Sequence, residues 1–563
     1  MRNLAVLAAF FAIIISSCNS PVPSGQADLH QHIRFNQAGY YPGALKEFVV
    51  ADHEASSFMI MDAQGKKVYE GNLRSKGTWE ASGETVSVGD FSELKHYSTY
   101  YIQLNTGLKS APFEIKSKLY SLPLNAAIKS FYFQRASMAI EETYAGKYQR
   151  ASGHPDDQCI FHPSTGRTEG TLNSPGGWYD AGDYGKYVVN AAISAGHMLN
   201  LVEMNPEAMA GDKLNIPESG NGIPDLLDEI RYELDWVMTM QDEDGGVFHK
   251  LTALTFGGFI MPDEYDLDRY IIGKGTFSSL TFAAVMAQAS RVYAEFDPDF
   301  SSSALSAAEG AWEWAVANPE LYYINPEDVV TGQYGDSDSS DDFYWAAAEL
   351  HISTGKDVYL NYLLENPQPY KHQLTNSWMF FIRNMGFHTL LINKPELIEG
   401  LNEQHLGLAD EILAKMETIP YGISIDHFEW GSNSDVLNQA QILCIAHHLS
   451  GEQKYLDGAI RNTDYIFGKN ATGYCFLTGT GTKQGMFPHH RPSGADGIEE
   501  PVPGFILGGP NKDKQDSDFV EYTSGFPAKS FEDVEPSFAS NEVCLNWNAP
   551  AVFVLGYLEL VCK

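Results

Sequence analysis

Basic residues are scarce in this chain: 37 Lys and Arg stand against 73 Asp and Glu, a formal charge of −36. Such a surface repels phosphate backbones and anionic lipid, which excludes nucleic acid as a natural partner. A neutral polymer such as a β-glucan is compatible with it, because sugars are held by stacking and hydrogen bonds; solubility of an exported protein accounts for the charge equally well. Cysteine is also scarce, six in 563 residues. Cys159, Cys444, Cys475, Cys544 and Cys562 are scattered and odd in number, which excludes a disulfide framework. Beyond the amino-terminal segment no apolar run is long enough to read as a bilayer span.

That segment has a basic start at Arg2, an apolar run from Leu4 to Ile15, and then Ile15-Ser16-Ser17-Cys18, the pattern of an exported bacterial lipoprotein signal. The reading is a signal peptide over residues 1–18 and a mature chain beginning at an acylated Cys18. Lipid alone then anchors the protein to the cell envelope, on the periplasmic or surface face of the outer membrane. An ordinary signal peptide cut near the same place is the alternative.

What is present is a globular composition, 44% hydrophobic, 12% aromatic and 20% charged, in a chain long enough for a small domain joined to a large one. After a linker over 19–29, residues 30–118 alternate short apolar runs with turn residues, as in EFVVADHEASSFMIMDAQGKKVYEG. This predicts an antiparallel, immunoglobulin-like β-sandwich. From about Asn125 the apolar spacing becomes three and four, as in YVVNAAISAGHML and DVLNQAQILCIAHHL. Roughly twelve such segments with no strand block predict a mainly α domain over 119–563, an (α/α)6 barrel with a loop-lined groove.

Chemistry concentrates in two segments. GGWYDAGDYGKYVVN, Gly176 to Asn190, carries Asp180 and Asp183; ASNEVCLNWNAP, Ala539 to Pro550, carries Glu542. Cleaving an acetal with inversion needs one carboxylate to deprotonate water and a carboxylic acid about 6.5–9.5 Å away to protonate the leaving oxygen. The Asp pair can supply the first and Glu542 the second. Asp180 and Asp183 precede a helix expected near Gly185, whose positive end favours ionised carboxylates. Helix N-capping by Asp183 explains that residue equally well. Trp178 and Tyr179 beside the pair offer faces on which a sugar stacks. Glu542 precedes an apolar run, where burial raises a carboxyl pKa; Cys544 nearby reads better as a buried, inert thiol than as a nucleophile. In FPHHRPSG, His489 and His490 cannot point the same way, so joint metal ligation is excluded, while one of them and Arg491 can donate hydrogen bonds to sugar hydroxyls or hold Glu542.

These motifs, with IRFNQAGYYP, IPDLLDEIRYELDWVMTMQDEDGGVFHK, VPGFILGGPN and PAKSFEDVEPSF in the same order, make the chain resemble family 9 glycoside hydrolases with an N-terminal immunoglobulin-like domain. The resemblance implies Asp183 as catalytic base, Asp180 as a holder of the attacking water and Glu542 as general acid. It also implies substrate contacts from His249, His489, Arg491 and Trp547. Relatives often hold zinc near the first Asp, but Tyr179 and Ile160 stand where His is expected, so no zinc is expected here. Their calcium sites are partly matched by Asp338, Asp341 and Asp342, with Met379 where a distant carboxylate would complete the shell. A calcium ion and a solvated acidic helix start both account for these residues. No cofactor is required for the chemistry.

The expectation is a monomeric, inverting endo-β-1,4-glucanase acting on cellulose, mixed-linkage glucan or a xyloglucan backbone. An exo-acting glucosidase, cellobiohydrolase or glucosaminidase is the rival within enzymes, and a non-catalytic glycan-capture lipoprotein the rival outside them.

Overall fold

The computed structural model describes residues 29–206, 213–368 and 381–562. The signal segment with Cys18, all but the last residue of the 19–29 linker, and Met379 lie outside the described residues.

Strands between Ile33 and Ile115 form two antiparallel four-stranded sheets. One is built around Glu47–Ala51 and Glu84–Asp90, the other around Ser57–Asp62 and Ser98–Leu104. Alternation turns Phe58 and Ile60 inward from Ser57–Asp62, where they meet Phe48, Phe91 and Phe113 from the facing elements. Edge-to-face ring pairs, such as Phe48–Phe58 at 4.9 Å and Tyr40–Phe91 at 5.0 Å, fill the space between the sheets.

The rest of the chain is an (α/α)6 barrel. Among the described residues, Val188–Met204, Thr276–Val292, Ser340–Thr354, Phe381–Asn393, Ser432–Ser450 and Leu545–Val561 each pack on the next, and the last packs on the first, closing a ring. Their sequences, such as VVNAAISAGHMLNLV, are small or apolar on every side, as a helix enclosed all round requires. Helices such as Asp225–Thr239 and Gln453–Ile466 alternate with them in sequence and carry a charged outer face.

One element departs from the sequence reading. A five-stranded sheet, ordered Thr171–Leu172, Cys159–Phe161, Tyr270–Lys274, Phe248–Thr252, Lys186–Tyr187, sits at the barrel's rim. Its strands are two to five residues long; the shorter three hold too few residues to alternate, and the two of five residues are buried or half-buried on both faces. Because Lys186 and Tyr187 pair with Leu251 and Lys250, the helix expected near Gly185 starts at Val188.

The sandwich docks through the turn between two of its strands. Trp79 packs on Tyr421 and Phe428 of the barrel, with ring centroids 4.9 and 5.8 Å apart. Buried Glu84 accepts from the Tyr421 hydroxyl at 2.7 Å and pairs with Lys529 at 2.7 Å. Asn36 donates to Asp464 at 2.7 Å. Truncating Trp79 to Ala leaves a void between two rigid surfaces, so Trp79→Ala is expected to cost about 3 kcal/mol and to lower the thermal midpoint. An unchanged midpoint in calorimetry would show that the domains do not stabilise each other there.

Candidate active site

The two chemically loaded segments lie side by side. Ala181 bridges Cys544 in antiparallel fashion, and Leu545 N donates to Asp180 O at 2.9 Å. Beyond that bridge the chain bends at residues 182–184, and Asp183 and Glu542 both reach the same cavity. A third segment locks against them: His489 bridges Glu542, and Arg491 N donates to Gly182 O at 3.1 Å. Here the turn needs glycine, since a Cβ on Gly182 would stand 2.1 Å from His489 O. Asp183, Glu542, His489, Arg491 and Trp547 line one cavity of about 760 Å³.

Each carboxylate has its own surroundings. Asp180 is buried; its Oδ1 accepts from Asn190 Nδ2 at 2.8 Å and its Oδ2 from the Tyr334 hydroxyl at 2.6 Å. Burial first, and then the charge of Asp183, push its pKa up to about 7 against the pull of these donors. The helix end therefore does not hold it fully ionised at neutral pH. Asp183 Oδ2 accepts from Gly185 N at 3.1 Å, closing a turn, whereas the helix's N-cap is Tyr187, so N-capping does not explain Asp183. Glu542 is raised well above the ordinary carboxyl value, by burial first and by Asp183 next, with the Arg491 guanidinium opposing. Burial also raises the Cys544 thiol, whose Sγ lies 3.9 Å from Asp180 Oδ2, so it is a protonated neighbour and not a nucleophile.

Three residues expected to touch sugar do not face the cavity. Trp178 is fully buried against Phe131, its Nε1 donating to Glu229 at 2.8 Å. Tyr179 is fully buried with its hydroxyl 2.8 Å from His154 Nδ1. His249 lies behind the wall, its Nε2 bonded to Gln333 O at 2.8 Å and its ring stacked on Tyr323. Trp178 is turned inward by its bridge to Arg135, and His249 by the strand Phe248–Thr252, which is buried on both faces.

His489 and His490 point apart, as their adjacency requires. His489 faces the cavity, and its Nδ1 donates to Glu535 O at 2.8 Å; burial lowers it to about 4, so it is neutral with Nε2 unprotonated. His490 is buried on Gln134 Oε1 at 3.1 Å, and Gln134 donates in turn to Ala181 O. Arg491 donates to Gly182 O at 2.8 Å and Gly257 O at 3.0 Å, tying the aspartate turn to the loop before Tyr270–Lys274.

The aromatic wall lies elsewhere than the sequence reading had it. Trp430, Phe538, His489 and Phe259 follow one another at centroid spacings of 5.5, 6.0 and 5.0 Å, and the Arg491 guanidinium bridges Phe259 and Phe256. Phe256 and Trp430 are 50% and 37% exposed, the solvent-facing rings of the cavity. The only sequence signal for them is an aromatic flanked by glycine, in TFGGF and EWGS.

The acidic cluster differs by one residue from the sequence reading. Asp336, not Asp338, joins Asp341 and Asp342, with ligand oxygens within 4.8 Å of one another. Asp338 instead accepts from Ser340 N at the helix start. Asp342 is fully buried with both oxygens lacking a hydrogen-bond partner, which fits a hard cation. At the positions compared with zinc sites, Tyr179 is bonded to His154 and the Cys159 thiol donates to Asp156 O.

With this geometry in place, the comparisons decide the family. The model described as Glycosyl hydrolase family 9 matches residues 120–555, and that of the Cellulase N-terminal ig-like domain matches 28–108. The chain belongs to glycosyl hydrolase family 9. It is similar to the Xyloglucan-specific endo-beta-1,4-glucanase BoGH9A of Bacteroides ovatus, 41% identical over 98% of this chain and 97% of that one. Endoglucanase D of Acetivibrio thermocellus is 31% identical over 98% of this chain and 86% of that one. A solved structure titled Bacteroides ovatus GH9 superposes with a TM-score of 0.88 at 40% identity, covering 95% of this chain and all of that one. This family 9 member is thus a glycoside hydrolase with an immunoglobulin-like domain. Gly182→Ala is expected to lower its hydrolytic rate by about a hundredfold, since the new methyl must part the aspartate turn from the His489 strand. Wild-type turnover in that variant would show that the three-segment contact is not needed.

Proposed function

We propose that this family 9 hydrolase is an inverting endo-β-1,4-glucanase. Asp183 takes a proton from water, Asp180 helps orient that water, and Glu542 protonates the departing sugar oxygen. The observation that supports this most is the pairing of Asp183 and Glu542 across one cavity in environments that separate their roles: Glu542 is raised well above the ordinary range, as an acid at neutral pH must be. Water attacks the anomeric carbon from the Asp183 side while the glycosidic bond breaks toward Glu542. The exposed rings of Trp430 and Phe256 supply apolar faces for successive glucosyl units. Asp183→Asn and Glu542→Gln should each reduce kcat by about three orders of magnitude or more on a soluble β-1,4-glucan, and the first product seen by NMR should be the α-anomer. A β-anomer first, or full turnover in either variant, overturns the assignment. In the wild-type enzyme the alkaline limb of kcat belongs to Glu542: activity is present below its raised pKa and lost as pH rises through it.

The similarity to a xyloglucan-specific relative favours a branched β-glucan backbone as substrate. Product profiling on xyloglucan, mixed-linkage glucan and cellulose tests this, a ladder of oligosaccharides marking endo action and one small product marking exo action. Binding without any product would mark a capture protein. The amino-terminal pattern supports export and a lipid anchor at Cys18, with monomeric action at the cell envelope; no described helix is long and apolar enough to cross a membrane.

Asp336, Asp341 and Asp342 would hold a structural calcium ion, neutralising carboxylates that otherwise crowd one another; it takes no part in bond cleavage. Chelation is then expected to lower the melting temperature of the wild-type protein and to leave Asp342→Asn unaffected. Equal melting with calcium and with chelator in the wild type would remove the ion from this reading.

A further inference from the structure

The strand Phe248–Thr252 places two adjacent polar side chains behind the cleft wall, and the chemistry above uses neither. Lys250 is fully buried. Its Nζ donates to Asn325 Oδ1 at 2.9 Å, Gly332 O at 2.8 Å, Thr331 Oγ1 at 3.2 Å and Thr331 O at 3.3 Å, so its bonds converge on one segment of chain, 325–332. His249 holds the next carbonyl, Gln333 O, and stacks on Tyr323, whose hydroxyl donates to Asn325 Oδ1 at 2.8 Å. Asn325 Nδ2 closes the segment on Thr331 O at 2.7 Å. The residue that follows is Tyr334, at φ +45°, a conformation that an aromatic residue adopts only when its surroundings enforce it. Its hydroxyl is the donor to Asp180.

We propose that Lys250, assisted by His249, is a positioning residue of the hydrolytic reaction: it pins segment 325–333 so that Tyr334 is held in its left-handed conformation with its hydroxyl on Asp180. This rests on the reading that Asp180 orients the attacking water. Lys250 acts through Tyr334 and touches no substrate.

The test is a double-mutant cycle on the soluble β-1,4-glucan that the wild-type enzyme hydrolyses fastest. Tyr334→Phe and Lys250→Met are each expected to lower kcat by about tenfold to a hundredfold, with KM changed by less than about twofold. The double variant should be no slower than the slower single one, because both changes remove the same interaction. Asn325→Ala, which loosens the segment from its own side and leaves the buried strand intact, should give a smaller loss of the same kind and carries the test if Lys250→Met does not fold. Losses that multiply in the double variant would overturn the proposal and assign Lys250 a direct effect on Asp183. A change confined to KM, or wild-type kcat in both Lys250→Met and Asn325→Ala, would overturn it as well. Wild-type kcat in Tyr334→Phe would instead remove the role of Asp180 and with it the foundation of the inference.

Discussion

The site depends on a backbone contact, not on any side chain: the aspartate turn, the Glu542 segment and the His489 strand are joined by main-chain hydrogen bonds. Leu545 N reaches Asp180 O, His489 N reaches Asn541 O at 2.9 Å, and Arg491 N reaches Gly182 O. Side-chain ties of this kind could tolerate rotamer changes, whereas a ladder fixes which residue faces which. One residue of slippage between 181 and 544 would turn Glu542 out of the cavity. The absence of a Cβ at Gly182 permits the third strand to come close enough to complete the contact, so a residue with no chemistry of its own sets the distance between two that have it.

Around that frame the barrel supplies the electrostatics. The segments carrying Asp183, Tyr334, Trp430 and Glu542 each lead into an inner helix, at Val188, Ser340, Ser432 and Leu545, and the first turn of the last lines the cavity through Asn546 and Trp547. The partial positive charge of a helix N-terminal end favours anions nearby. Even so, three carboxylates in a poorly solvated space cannot all ionise cheaply: burial first, and mutual repulsion next, raise Asp180 and Glu542. That repulsion is useful where the reaction needs one proton donor and one acceptor a short distance apart. Arg491 limits it, lying close enough to lower Glu542 while its N–H groups are bonded to Gly182 O and Gly257 O.

How far the sequence spoke depended on the physics behind each signal. Periodicity of three and four, sustained over helix after helix, is a strong signal, and alternating runs before residue 118 are another; both gave the fold class, and the family motifs pointed to Asp180, Asp183 and Glu542. Proximity in sequence was a poor guide to the wall. Trp178 and Tyr179 neighbour the aspartates yet face the core, because Trp178 bridges Arg135 and the turn backbone directs Tyr179 toward His154. Phe256, Phe538 and Trp430 come from three loops with no common pattern, and only folding assembles them. The rim sheet was invisible for a different reason: three of its strands have two or three residues, and the two longer ones are buried or half-buried on both faces and so do not alternate. The acidic cluster was legible to within two residues, since Asp336 and Asp338 differ only in which way a bend turns them, and a bend has no periodicity to read.

One stretch of chain joins these separate features. Residues 323–342 run from the ring stack on His249, through the bonds to Lys250, past Tyr334 at Asp180, to the cluster of Asp336, Asp341 and Asp342 at the start of an inner helix. Tyr334 stands two residues before Asp336, and its strained backbone follows directly on the carbonyls held by the buried amine and by His249. A strained conformation persists only when both flanks are fixed, because freedom on either side lets the dihedral relax. Ordering this segment through buried side-chain bonds gives a loop the precision that the 2.6 Å hydrogen bond from Tyr334 to the Asp180 carboxylate requires.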